Sequence, residues 1–172
     1  MTSNRPALAP LSSVPVVSAA FKDEVRDLYE NYADTIDNLD LESWPSYFTD
    51  DCRYLVISHE NQDAGLTHAT IYCEGIGMVR DRAVATRDCT VYEPRYLRHF
   101  MHGLRITSVE GDVIRAKATF MVIESVSDKE PYVHMVGQYQ DIIVRGREGL
   151  KFKERLCVYD NFRIYNSLIF PI

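Results

Sequence analysis

An α+β fold is predicted, with helices first and a long, strongly curved antiparallel sheet wrapped around them. Three observations carry this. Residues 97–160 read as four long strands, Leu97–Ser108, Val113–Val126, Tyr132–Arg145 and Leu150–Asp160, rich in β-branched and aromatic side chains. Turn signals separate them at Glu110-Gly111-Asp112, Ser127-Asp128-Lys129 and Gly146-Arg147-Glu148-Gly149, so consecutive strands run antiparallel. Upstream, Phe21, Val25, Leu28, Tyr32, Ile36 and Leu39 recur every three or four residues, the signature of a helix with one apolar face. Strands this long exceed the usual length, so the sheet must twist and curl, and the helix supplies the cover for its concave side.

Taken in order, residues 1–17 carry Pro6, Pro10 and Pro15 among Ser and Ala. They cannot nucleate a helix and form an N-terminal arm, either mobile or docked on a partner. A single α+β domain is expected over residues 18–172. Its first helix covers about twenty residues with Ser18 as the cap. Leu41–Phe48 continues as a short helix or turn around Trp44-Pro45, since Pro45 fits only a first turn. Cys52–Ser58 is a short strand, His59–Ala64 a polar loop and Ala69–Cys73 a further strand. Glu74–Arg87 is a helix with Ile76, Val79, Ala83 and Val84 on its period and Arg80, Asp81, Arg82 and Arg87 exposed. In the first long strand Phe100, His102, Leu104 and Ile106 share one face and His99, Met101, Gly103 and Arg105 the other. Leu28, Tyr32, Ile36, Phe120, Leu156 and Val158 are the expected interior side chains. The whole resembles the cone-shaped, cystatin-like fold of ketosteroid isomerase, scytalone dehydratase and nuclear transport factor relatives. That fold serves enzymes and non-catalytic subunits alike.

A chain of 172 residues fits one domain, and its 46% hydrophobic content permits a full core. The net charge of −6, with no stripe of Lys and Arg, argues against nucleic-acid binding and reads as solubility. No apolar run approaches a membrane span, and Met1–Val17 lacks the basic and apolar regions of a signal peptide, so a cytoplasmic location is expected. There Cys52, Cys73, Cys89 and Cys157 stay reduced; their spacing is neither a CxxC pair nor a disulfide framework.

Three site types bear on the chemistry open to this sequence. His99 and His102 are the close histidine pair; three apart on a strand they leave from opposite faces and do not easily share a metal, whereas on a helix they could. A Rieske centre needs paired, closely spaced Cys and His, which this sequence lacks. Acid–base catalysis inside the cone has Asp34, Asp37, His99, His134, Tyr54 and Tyr139 to recruit; the plainer reading is packing with a polar tip. No nucleophile elbow, P-loop or dinucleotide fingerprint is present. Arg80, Asp81, Arg82, Arg87, Asp88, Glu93, Arg95, Arg98 and Arg105, interleaved with Tyr92 and Tyr96, suit protein–protein contact. The apolar end Leu168-Ile169-Phe170-Pro171-Ile172 points the same way, toward burial against a neighbouring subunit.

The segment Trp44-Pro45-Ser46-Tyr47-Phe48-Thr49-Asp50-Asp51-Cys52-Arg53-Tyr54 resembles the stretch after the first helix in small (β) subunits of Rieske-type aromatic-ring-hydroxylating dioxygenases. So do Met78-Val79-Arg80-Asp81-Arg82, Tyr92-Glu93-Pro94-Arg95-Tyr96-Leu97-Arg98-His99, Arg155-Leu156-Cys157-Val158-Tyr159-Asp160 and the final Pro171-Ile172. The flavour is that of the salicylate 5-hydroxylase and terephthalate dioxygenase small subunits, and only residues 1–17 lie outside it. The resemblance implies a subunit of an oxidoreductase that scaffolds an α3β3 hexamer. It also implies a large (α) subunit holding a Rieske [2Fe–2S] cluster, mononuclear Fe(II) and the substrate pocket. Electrons come from NAD(P)H through a reductase and often a ferredoxin. It places no catalytic, cofactor-binding or metal residue in this chain. The alternative is a stand-alone cone-fold enzyme, such as a dehydratase or isomerase acting on a small molecule.

Overall fold

The computed structural model describes Pro15, residues 17–164 and residues 168–172. The expected arm, residues 1–17, falls almost wholly outside them. Helix α1 spans Ala19–Asp37. Ser18 caps it as its sequence position predicts, accepting the Phe21 N–H on Oγ at 3.2 Å. Its buried face carries Val25, Leu28, Tyr29, Tyr32, Ala33 and Ile36. A single 3-10 turn, Trp44–Tyr47, uses Pro45 in its first turn. Strand β1 then runs Phe48–Ser58, four residues longer than its apolar stretch suggests, because Phe48 pairs back onto the sheet. The polar stretch after it is a short helix, α2 (His59–Asp63), rather than a loop, because Ser58 Oγ caps the Asn61 N–H. Strand β2 (Ile71–Glu74) and helix α3 (Gly75–Val84) follow.

The long meander is β3 (Arg95–Glu110), β4 (Val113–Val126), β5 (Tyr132–Gly146) and β6 (Gly149–Tyr159). Strand order is β2-β1-β6-β5-β4-β3. Neighbours are antiparallel except β1 and β6, which the whole intervening chain brings side by side in parallel. Among the described residues β3 is therefore an edge strand, and Asp37 at the end of α1 takes one of its outward N–H groups, that of His99. Among the described residues, no helix is long and apolar enough to cross a membrane.

Aromatic rings fill the concavity. Tyr29 and Tyr32 on α1 each meet Phe152 edge-on at 5.5 Å, Trp44 meets Tyr54 at 5.3 Å, and Phe120 stacks on Tyr139 at 4.4 Å. Gly137 permits one tight approach: a Cβ there would overlap the carbonyl oxygen of Val158 on β6. Gly137→Ala is expected to cost at least about 1–3 kcal/mol, read as a lowered urea midpoint, because backbone rather than a flexible side chain must give way.

Bulges decide which residues face inward. In β3 the register slips between His102 and Arg105, where Gly103 adopts φ +67°. Before the bulge His99 and Met101 turn toward the interior and Phe100 and His102 toward solvent; after it Leu104 and Ile106 turn inward and Arg105 outward. Simple alternation along this strand fails at that glycine. A second slip at Lys153 puts Phe152, Arg155 and Cys157 inside. Leu28, Tyr32, Ile36 and Phe120 are core residues as expected; Val158 is buried too, but it and the half-buried Leu156 alternate with the inward Arg155 and Cys157 and so lie on the other face of β6, outside the main core cluster.

The end of the sequence is not an interface patch. Phe170, Pro171 and Ile172 are buried within their own chain. Phe170 packs edge-on against Tyr92 at 4.9 Å. Ile172 donates its N–H to Tyr54 Oη at 2.8 Å, and its carbonyl oxygen accepts from Tyr32 Oη at 3.0 Å. Arg82 Nη2 clamps the carbonyls of Leu168 and Ile169 at 3.2 and 3.1 Å. The residues read as a sticky tail instead stopper the cone.

Candidate functional site

Two polar clusters sit inside the cone. The deeper one is centred on Arg155, whose side chain is fully buried. Its guanidinium carbon lies 3.9 Å from the ring centre of Tyr32 and 3.8 Å from that of Tyr139, with Phe152 at 4.5 Å and Tyr29 at 5.2 Å. Asp141, directly opposite on β5, accepts from Nη1 at 3.1 Å. The aromatic cage and this one carboxylate replace the water that a guanidinium normally holds. Burial pushes the Asp141 carboxyl up to about 6 against the pull of Arg155, so the pair is ionised at neutral pH. Burial likewise lifts Cys157 to about 12 and raises the phenols of Tyr29, Tyr54 and Tyr139 well above their ordinary range. Cys157 and these three phenols therefore keep their protons at neutral pH and are neither bases nor nucleophiles there.

The second cluster lies where the start of β3 and the end of β4 meet the end of α1. Asp37 holds His99 twice, accepting the backbone N–H on Oδ2 at 2.9 Å and meeting Nδ1 with Oδ1 at 2.6 Å. The His99 side chain is wholly buried, and its Nε2 has no partner among the described residues. Beside it, Glu124 gathers Arg95 Nη1, Tyr132 Oη and His134 Nδ1. Burial depresses the His134 pKa; Glu124 pulls the other way, while Arg95 and His99 push further down. His134 is thus the neutral ring, donating Nδ1–H to Glu124. A histidine whose folded pKa is lowered stabilises fully above its unfolded value and loses that contribution as pH falls through the window below about 6.5. Unfolding midpoints are expected to drop below about pH 6.5, and His134→Gln to flatten that drop.

Of the acid–base candidates, the fold brings Asp37 to His99 and places His134 close by. It separates Tyr54 and Tyr139 into the deeper interior and leaves Asp34 exposed on the outer side of α1. His102 faces solvent while His99 faces inward, so they share no site. Four open clefts on the described surface have none of His99, His134, Tyr54 or Tyr139 in their walls. A Rieske cluster does not fit the residues present. Cys52, Cys73 and Cys157 are buried, Cys89 is exposed, and among the described residues no three His, Cys, Asp or Glu gather as metal ligands.

Simple alternation along the strands does not reveal Arg155, Asp141, Arg95 and Glu124 as a polar interior. Counted back from the Gly146–Gly149 turn, Asp141 would face Glu154; the bulge at Lys153 brings Arg155 opposite instead. The bend at Tyr92–His99 also differs from the contact surface its composition suggests. Arg95 is buried on Glu124, Tyr92 is under Phe170, Arg82 holds the tail, and Arg87 pairs with Asp88.

Comparison with known proteins agrees with this geometry. The SnoaL-like domain family matches residues 18–156. The small subunit of anthranilate 1,2-dioxygenase from Burkholderia cepacia is 35% identical over 149 residues, covering 87% of this chain and 92% of that protein. Subunit beta 2 of the terminal oxygenase component of terephthalate 1,2-dioxygenase from Comamonas sp. is 33% identical, covering 76% and 84%. Among solved structures, the chain assigned as beta subunit of an aromatic-ring-hydroxylating dioxygenase from Novosphingobium aromaticivorans superposes with TM-score 0.81 at 36% identity, covering 89% and 97%. Naphthalene 1,2-dioxygenase, at 14% identity and TM-score 0.76 over 91% and 88% of the two chains, shares the fold. The chain belongs to the SnoaL-like domain family and, within it, to the small (β) subunits of aromatic-ring-hydroxylating dioxygenases.

Proposed function

We propose that this chain is the non-catalytic small subunit of a cytoplasmic Rieske non-haem iron oxygenase that hydroxylates an aromatic acid of the salicylate, terephthalate or anthranilate kind. It scaffolds an α3β3 hexamer. The large subunit carries the [2Fe–2S] cluster, the mononuclear Fe(II) and the substrate, and NAD(P)H supplies electrons through a reductase, with or without a ferredoxin. The small subunit contributes no catalytic, cofactor-binding or metal residue.

The observation that carries this reading is the filled cone. Where a cone-fold enzyme holds its ligand, this chain holds the caged Arg155, seven fully buried large aromatic side chains and its own residues 170–172. A stand-alone enzyme is favoured only by the Asp37–His99 pair with its unpartnered Nε2.

Co-expression with the large subunit, followed by mass measurement, iron quantification and product analysis on aromatic acids, tests the proposal. The isolated chain is expected to hold no stoichiometric iron and the assembled complex to oxidise an aromatic acid. Turnover of a small molecule by the isolated chain would contradict it.

A further inference from the structure

Charge is segregated on the outer face of β3, β4 and β5. Carboxylates outnumber cations, 25 to 19, over the whole chain. Yet the solvent-facing positions of these strands carry Arg98, His102, Arg105, Arg115 and Lys117, with Glu110 at the very end of β3 as their one exposed carboxylate among the described residues, because Glu124 and Asp141 turn inward. Arg105 and Lys117 stand directly opposite each other across β3 and β4. Like charges so placed repel, and neither has a carboxylate partner among the described residues. The Gly103 bulge creates the arrangement: without it Arg105 would point into the cone. His102, Arg105, Thr107, Lys117, Thr119 and Gln138 line an open cleft of about 450 Å³ here.

The other half of this face is apolar. Tyr96 is 73% exposed and Phe100 52%, and Met121 and Ile123 lie beside them on β4, opposite Phe100 and Arg98. An aromatic and aliphatic half joined to an Arg-bearing half is the composition of a protein interface. A nucleic acid would meet the same cations, but the chain's net charge of −6 repels it at longer range.

We infer that this face, centred on Arg105 and Lys117 and flanked by Tyr96 and Phe100, docks a carboxylate-rich surface of the large subunit. The inference rests on the small-subunit assignment and names the contact that the assignment leaves open. The partner's carboxylates relieve the Arg105–Lys117 repulsion, and its apolar side chains cover Phe100 and Tyr96.

The test uses the full chain and its co-expressed large subunit, with affinity measured by sedimentation at several salt concentrations. Wild-type binding is expected to weaken steeply with salt. Arg105→Glu with Lys117→Glu should lower the affinity at least about tenfold and flatten the salt dependence. The milder Arg105→Gln with Lys117→Gln should do so to a smaller degree. Phe100→Ala should weaken binding without changing the salt slope. If the wild-type chain fails to bind the large subunit, the subunit assignment falls and the docking face with it. If the wild-type chain binds and the reversed chain binds as tightly with the same salt slope, the docking face alone is overturned. Tighter binding of a duplex DNA oligonucleotide than of the large subunit, lost on the same reversal, would also overturn it.

Discussion

Replacing Asp141 with alanine is expected to destabilise the fold by about 3–5 kcal/mol, the cost of leaving a buried charge without its partner. Arg155 would keep its proton inside an aromatic cage that supplies cation–π attraction but no acceptor. Removing both charges together, Arg155→Met with Asp141→Leu, should cost far less and is expected near neutrality, because the cage is already apolar. The pH dependence has a sign opposite to that of His134. The Asp141 carboxyl sits at about 6, above the ordinary carboxyl range. The folded state therefore binds the extra proton, and this residue's contribution declines as pH rises from about 4 toward 6. Urea titrations of Asp141→Ala and of the double variant, repeated from about pH 4 to about pH 7, measure both effects.

The second large effect concerns residues 168–172. The fold shows them as part of the monomer's own core, so deleting them should lower its melting temperature as well as any assembly. Phe170→Ala alone is expected to cost about 3–5 kcal/mol, since Phe170 is 3% exposed and packs on Tyr92. Deletion also strips the acceptor from Tyr32 Oη and both acceptors from the Arg82 clamp. A subunit-interface role would give the reverse pattern, with an unchanged monomer and lost association. Calorimetry of the truncated chain separates the two.

The order of elements was legible because patterning and turns agree over long stretches. Ser18 and the 3.6-residue apolar period define α1, and three turn clusters separate β3 to β6. What alternation does not reveal is the phase of each strand after a bulge. Gly103 reverses β3, so that His99 is buried beside Asp37 while Arg105 faces out, and the slip at Lys153 puts Arg155 inside. A charged residue in mid-strand reads as solvent-facing unless its partner strand's register is known. The slip at Gly103 also hides the cationic face, whose members come from two strands and are scattered in sequence. The apolar composition of residues 168–172 shows that they need cover; whether their own cone or a neighbour provides that cover depends on the space left by Trp44, Tyr54 and Tyr32, which sequence spacing does not report.

The most direct test of the central claim, that this subunit organises the oxygenase and leaves the chemistry to its partner, is turnover per iron of the assembled complex carrying His99→Gln and His134→Gln. These changes remove the interior groups that acid–base catalysis in this chain would need. The account predicts an intact complex with its iron retained and turnover per iron within about twofold of wild type. A loss of about a hundredfold or more at unchanged assembly and iron content, the scale of a missing general acid or base, would contradict it.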